Sequence, residues 1–446
     1  MQKAVLLTAA LLSAGNAWAE ENLDDLLGGF EDNALQAEPA TESSFDQATQ
    51  FPKHDFSSRL TLLASHNYQA RSGTPDYQDL SSAKLSLRLG VKSQWDKAWR
   101  SEAQIAGFHD AVFGIKGRDQ FNDETLKRHE QEIELRDTYV QGKLSDRLDV
   151  KFGRQIVVWG KSDSLRVVDV LNPLDLRDPG MTDIEDLRLP VGMAKADYYQ
   201  GNWHGELIVI GETRFSKRPA YGSQYNFYPT QPPAEDTLDS DADHLQYAAA
   251  LHYQSSAADA SLHLAKVYDD DLHVANGRLR HAPVSLIGTS ANAPLGAWLI
   301  KAELALTDGK RYSSLPSQTY QQGKAMFGLE FYGISNHTFA LEAMASQILD
   351  YDNALDSGPF GVGETSSQTA LRYSGKFMRE QLEINALASL WGDGSDGAFY
   401  RAWASYELAP GSSVGAGIVV YQSGDELMFE QVADRDKVFV TWDWYL

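Results

Sequence analysis

Between Gly160 and Pro190 the chain gathers seven acids, Asp163, Asp169, Asp175, Asp178, Asp183, Glu185 and Asp186, and four bases, Lys161, Arg166, Arg177 and Arg188. Charges of both signs at this density can sort solutes by charge, but they supply no nucleophile with a base beside it. Val167, Val168, Val170 and Leu171 sit among them, and Pro173, Pro179 and Pro190 stiffen the backbone. The segment is too polar for a core and too apolar for a plain linker, which makes it a shaped loop. The chemistry it suits is that of a passage. Lys161, Asp163, Arg166, Asp169, Asp175 and Arg177 would line a constriction while the valines and leucines pack on a wall; the alternative is an ordinary surface loop.

Other chemical patterns are weaker. Gly411-Ser412-Ser413-Val414-Gly415 matches G-x-S-x-G, but it follows the turn Pro410-Gly411 and opens a strand, whereas a nucleophile elbow needs a strand–turn–helix. The acidic runs at Asp239–Asp243, Asp269–Asp271 and Asp350–Asp352 could hold Ca²⁺ beside lipopolysaccharide, yet none completes an EF-hand loop, so they read as solvated loop tips. Eleven His include no H-E-x-x-H and no zinc-like pairing. No cofactor is implied. Tyr221, Tyr225, Phe227 and Tyr228 with Arg218 could form an entry platform, although a loop packed on itself is the plainer reading.

Something must position the charged loop. Before it, GRQIVVWG ends a strand at Trp159, and from Phe56 onward the chain keeps a period of two. In AKLSLRLGVK, Leu85, Leu87, Leu89 and Val91 alternate with Lys84, Ser86, Arg88 and Lys92. About eighteen such segments follow one another, from 57–68 to 436–446, with sixteen as the nearest alternative count. Short connections (SQWD, LSDR, SSAA, SANAP, ISN, KFM, APG) alternate with long ones (112–130, 160–190, 217–242, DDDLHVANG, 309–321, 350–366, 424–435). Short turns on one side and long loops on the other mark an antiparallel transmembrane β-barrel, all-β, with its long loops outside. The strand reaching Trp159 is the fifth and runs outward, so 160–190 is the third external loop, folded inward. Arg59, Lys84, Arg88, Arg100 and Arg136 share the face opposite the aliphatic one; facing lipid they would each cost ~2–4 kcal/mol, so they form a basic lumen wall. Arg154 joins that wall if Gly153 marks a bulge, and otherwise sits near the interface.

The ends of the chain agree with export to a membrane. Residues 1–19 carry only Lys3, an apolar run and Ala17-Trp18-Ala19, the pattern of a signal peptide cleaved before Glu20. The run is short of the ~20 residues of a spanning helix. Removing it takes the formal charge from −23 to −24, which argues against nucleic acid as a partner. Residues 20–50 hold nine acids and no Lys or Arg. They form an acidic periplasmic leader in which Leu23, Leu26, Leu27 and Phe30 share one face of a short helix; a disordered leader is the alternative. The absence of cysteine leaves no disulfide framework, so 51–446 must be held by its strands. At the end, Val438, Val440, Trp442, Trp444 and Leu446 alternate, and Trp95, Trp99, Trp203, Trp391 and Tyr406 fall near strand ends as aromatic girdles.

Gly153-Arg154-Gln155, Trp159-Gly160, Asp169 and Asn172-Pro173, with the leader LDDLLGGFED, resemble an outer-membrane, porin-like family of unknown function. The resemblance implies an outer-membrane location, lipid and lipopolysaccharide around the barrel, and association with an RND-type inner-membrane transporter. Two functions follow: a channel passing small or lipophilic solutes, or an outer-membrane barrel enzyme of lipase or protease type. The loop asymmetry sets the topology. A tag inserted at Asp241 or Asp356 is expected to be reachable by antibody on intact cells, and one at Leu408–Pro410 only after the outer membrane is opened.

Overall fold

In the computed structural model, the described residues are 51–446 apart from 70–74, 183–186, 227, 229 and 359. The expected signal peptide and acidic leader lie outside them, as do Asp183, Glu185, Asp186 and Phe227. The described chain forms eighteen antiparallel strands: β1 Lys53–Asn67, β2 Asp79–Gln94, β3 Trp99–Asp110, β4 Gln131–Ser145, β5 Leu148–Gln155, β6 Val191–Gln200, β7 Trp203–Ile210, β8 Gln246–Gln254 and β9 Asp259–Ala275. They continue as β10 Arg278–Leu295, β11 Trp298–Lys310, β12 Tyr320–Ile334, β13 His337–Leu349, β14 Thr365–Phe377, β15 Leu382–Trp391, β16 Gly397–Ala409, β17 Ser412–Gln422 and β18 Lys437–Tyr445. Each pairs with its neighbours in sequence, and β1 pairs with both β2 and β18, closing the ring.

Period two becomes two faces. On β11, Ala302, Leu304 and Leu306 are exposed outside while Lys301, Glu303 and Ala305 are buried inside. On β13, two strands further round, Phe339 and Leu341 outside and Ala340 and Glu342 inside repeat the rule. The closing seam keeps it too. Arg59 of β1 points inward to Asp443 of β18, Nε to Oδ1 at 3.0 Å, and Thr61 donates to the same carboxylate at 2.6 Å. Leu446, the terminal residue, exchanges backbone hydrogen bonds with Ser58. The outer face therefore shows a band of apolar side chains that water would not tolerate, and the inner face carries the charge.

Several boundaries differ from the sequence pattern. DDDLHVANG is not a loop: β9 runs through it to a tight turn at Asn276-Gly277, where both residues have positive φ as a two-residue hairpin requires, and β10 starts at Arg278. SANAP lies within β10, and the turn is at Gly296-Ala297. Trp391 faces inward, its ring 4.8 Å from that of Phe429, so it is no part of an outer girdle. The fifth strand stops at Gln155, short of the expected 159, and the seventh at Ile210, where the chain turns away from the wall. Short helices α1 (Val112–Lys116), α2 (Asp123–His129) and α3 (Leu427–Val432) lie in the outer loops. Leu304, 56% exposed in mid-strand, reports the lipid face. Leu304→Arg is expected to lower folding stability in vesicles by ~2–4 kcal/mol, measured by urea refolding.

Candidate lumen constriction

The third outer loop, 156–190, enters the barrel. Val157, Trp159, Leu165, Val167, Val168 and Leu171 are buried against inward side chains of β6–β12, including Ile208, Ile210, Ala265, Val284, Leu286 and Met326. Apolar burial thus holds one face of the loop to the wall, as the sequence suggested. The polar face is held by fastenings specific to position.

The deepest lies at 159–165. Trp159 donates its indole N–H to Glu206 Oε1 of β7 at 2.8 Å. The chain then turns through Gly160, at φ +94°, where a Cβ would come within 2.6 Å of Glu303 Oε1. That close approach lets the backbone amides of Lys161 and Ser162 donate to Glu303, at 2.5 and 2.8 Å. Asp163 N and Ser164 N, with Ser162 Oγ, donate to Glu342 of β13 at 2.9, 2.9 and 2.7 Å. Consecutive amides converging on carboxylates make a small anion nest. The Asp163 carboxylate faces Lys301 Nζ at 2.9 Å and Arg372 at 2.7 Å, and Glu330 shares both cations. These partners stand well inside β11–β14, so the loop tip is in the lumen and not over its mouth.

Asn172 is the second fastening. Its Oδ1 accepts from Val157 N at 2.8 Å, while Nδ2 donates to Gln155 O and Leu189 O, tying the outgoing and returning chains together. Asp169 bridges Arg188 at 3.0 Å and Arg166 at 3.3 Å. The third faces the early strands. Asp178 pairs with Lys84 at 2.7 Å, and Arg177 holds Asp175 and Glu132 at 2.6 and 2.7 Å. Arg136 donates to Arg188 O at 2.9 Å. Burial alone would raise the Asp178 carboxyl, yet Lys84, His129 and Arg177 around it hold it well below the usual carboxylate range.

The expected site residues therefore come together, but in altered roles. Asp163, Asp169, Asp175 and Arg177 do not line an open passage; they are buried or half-buried in ion pairs, because a carboxylate taken from water needs a cation or amide donors. Lys84 and Arg136 of the basic wall are loop anchors. Arg59, Arg88 and Arg100 face inward on β1, β2 and β3, where Arg59 and Arg88 stand directly opposite one another. Arg154 is not on this wall. The register is unbroken at Gly153, so Arg154 keeps the outward parity of Phe152 and pairs with Glu212, Nε to Oε2 at 3.0 Å. Lys301, Glu303, Glu330, Glu342 and Arg372 were missed. Their signal was the inward parity of charged residues within AWLIKAELAL and its neighbours, visible only once the face opposite lipid is followed beyond β4.

The loop 211–245 does not pack on itself alone. Tyr225 is buried against Tyr421 of β17, with Lys437 Nζ 4.3 Å from its ring centroid. β17 stands nine strands from β8 in either direction around the ring, so this loop crosses the barrel as well. Lys217 pairs with Glu132 and Glu134, at 2.8 and 2.7 Å, and Ala220 N donates to His129 Nε2 of α2 at 3.1 Å. Burial pushes His129 down to about 4, despite Asp178 nearby, with Arg177 and Lys84 adding to the effect. A group whose folded value lies below its unfolded one, about 6.5 for His, contributes stability that is full at neutral pH and lost as pH falls toward the folded value. Amide protection at 218–224, relative to the intrinsic exchange rate, is expected to drop between pH 7 and pH 4.5 in the native chain and to stay level in His129→Gln.

The chain belongs to the family DUF1302, described as proteins of unknown function, whose pattern covers residues 1–443. No curated protein matches it in sequence. Its fold is similar to outer-membrane barrels of known structure. OccAB1 of Acinetobacter baumannii is 10% identical, with a TM-score of 0.54 over 89% of this chain and 96% of that one. OccK9 (OpdG) of Pseudomonas aeruginosa is 13% identical, with a TM-score of 0.53 over 88% and 98%. OpdK of the same organism, solved with vanillate, is 11% identical, with a TM-score of 0.51 over 88% and 98%. At these identities the likeness is one of fold.

Proposed function

We propose that this DUF1302 member is a porin-like channel of the outer membrane, with a bore set by two loops that cross its lumen. The observation that carries the reading is the seating of residues 160–165 on Glu303 and Glu342 inside the ring. A barrel of 16–18 strands otherwise leaves an aqueous channel. The loops narrow it and leave inward Arg88, Lys92 and Arg100 on the early strands as the charged side of the remaining path. That basic side favours small anionic or polar solutes. The similarity to OpdK, crystallised with vanillate, supports small organic solutes as one cargo class. The finer reading, a lipophilic solute handed over by an RND-type transporter of the inner membrane, rests on the family resemblance.

Planar-bilayer recording tests this reading. The folded native chain is expected to give discrete conductance steps. The double variant Glu303→Gln, Glu342→Gln weakens charge-assisted hydrogen bonds to the loop turn but leaves the strand ladders intact. It should keep heat-modifiable barrel mobility on gels and raise unit conductance by about twofold or more. A folded native barrel without steps would sink the channel reading. Unchanged conductance in the double variant would show that the turn does not set the bore.

A further inference from the structure

The wall has a notch. β4 runs outward to Gln131, but its pairing with β5 begins only at Thr138, opposite Arg154. β9 runs outward to Ala275, yet its pairing with β8 ends at Lys266. Between them β5, β6, β7 and β8 stop at Gln155, Val191, Ile210 and Gln246. β5 and β7 have eight residues each, fewer than the ~9–11 that cross a bilayer. On the outer side of the barrel a gap four strands wide therefore reaches into the apolar band.

What fills that gap is held by side chains and by isolated backbone pairings, not by a continuous ladder. Among the described residues, Gln131–Asp137 of β4 have no strand on the β5 side. Arg154 Nη1 reaches across to Leu135 O at 2.9 Å, and Glu212 accepts from Gly192 N at 2.7 Å. Arg214 donates to Pro190 O at 2.7 Å and pairs with Glu134. Lys217 binds Glu132 and Glu134, and the backbone pairs only in single bridges, Leu174 with Arg188 inside the third loop and Asp175 with Lys217 between the two loops. A strand ladder opens only by losing many backbone bonds together. These contacts can exchange one at a time, because water or an incoming polar group can take the place of each partner.

We infer that this notch is a lateral portal through which an anionic single-chain amphiphile moves between the lipid and the lumen. Its sill is apolar outside, with Ile133 80% and Leu135 46% exposed. Beside the sill the Arg154–Glu212 pair forms a latch, and inside it Arg214 and Lys217 offer cations now held by Glu132 and Glu134. A sulfonate, carboxylate or phosphate head replaces those carboxylates like for like, while its tail lies along the outward residues. The inference rests on the channel reading and adds a second way in, from the side.

The cysteine-free chain allows a direct test with dodecanesulfonate, which is permanently charged, and butanesulfonate as its tail-free analogue. Leu135→Cys and Glu212→Cys are joined by a bifunctional methanethiosulfonate reagent, and block of single-channel potassium chloride current is recorded. Bridging should slow dodecanesulfonate block about tenfold or more, leave conductance and butanesulfonate block unchanged, and be undone by reductant. Equal block before and after bridging would mean axial entry and overturn the portal, as would a failure of dodecanesulfonate to block the unbridged channel. Should the cysteine pair not fold, Arg154→Gln reads the same latch from the opposite direction: it should speed dodecanesulfonate block severalfold at unchanged conductance, and an unaltered rate overturns the inference. A folded barrel with no conductance at all would instead defeat the channel reading beneath it.

Discussion

Within hydrocarbon no backbone N–H or C=O can be left without a partner, and the architecture of this chain follows from that constraint. It forces the sheet to close, and closure is completed by the last residues, with β18 pairing to β1 and Leu446 exchanging hydrogen bonds with Ser58. It also explains the behaviour of the longest loops. Where β5 to β8 end early, backbone groups at the break still need partners, and side chains beside it supply some of them. The guanidinium of Arg154 on Leu135 O and the carboxylate of Glu212 on Gly192 N are side chains standing in for a ladder.

The same economy of polar groups decides how charge is used inside. A lumen narrowed by two loops has a lower effective dielectric than open water, so an unpaired carboxylate there is costly and a paired one becomes a fastener. Glu303 and Glu342 each accept from loop amides, and Asp163 is held through Oδ2 by Lys301 and Arg372. Gly160 belongs to this arrangement because it has no side chain: a Cβ there would crowd the Glu303 carboxylate. Four residues of the family-like motif thus share one task. Gly160, Asp169 and Asn172 shape a loop to fit a wall, and Trp159 ties it to Glu206.

Much of this was legible in the sequence. Alternation is local, and a strand with one face in lipid and one in water must carry it, so strand number, closure and the inward face of Arg59, Lys84, Arg88, Arg100 and Arg136 follow from single segments such as AKLSLRLGVK. The composition of 160–190, valines and leucines among charges, suited a loop folded inward, with an ordinary surface loop as the alternative. Strand ends were less legible: QIVVWG is extended and apolar whether it continues in a wall or packs against one, so the departure at Gln155 leaves no local mark.

Pairings between distant residues belong to the tertiary structure alone. Asp163 and Arg372, Tyr225 and Tyr421, or Arg154 and Glu212 meet only because the ring brings far-apart strands and loops to one height, and no short-range pattern encodes that distance. The sequence by itself determined that the chain would build a barrel with a charged interior and an inward loop, since periodicity and polarity act residue by residue. Only the closed structure decided which charges would be consumed as fasteners and which would face the path, because that depends on what each side chain meets across the lumen.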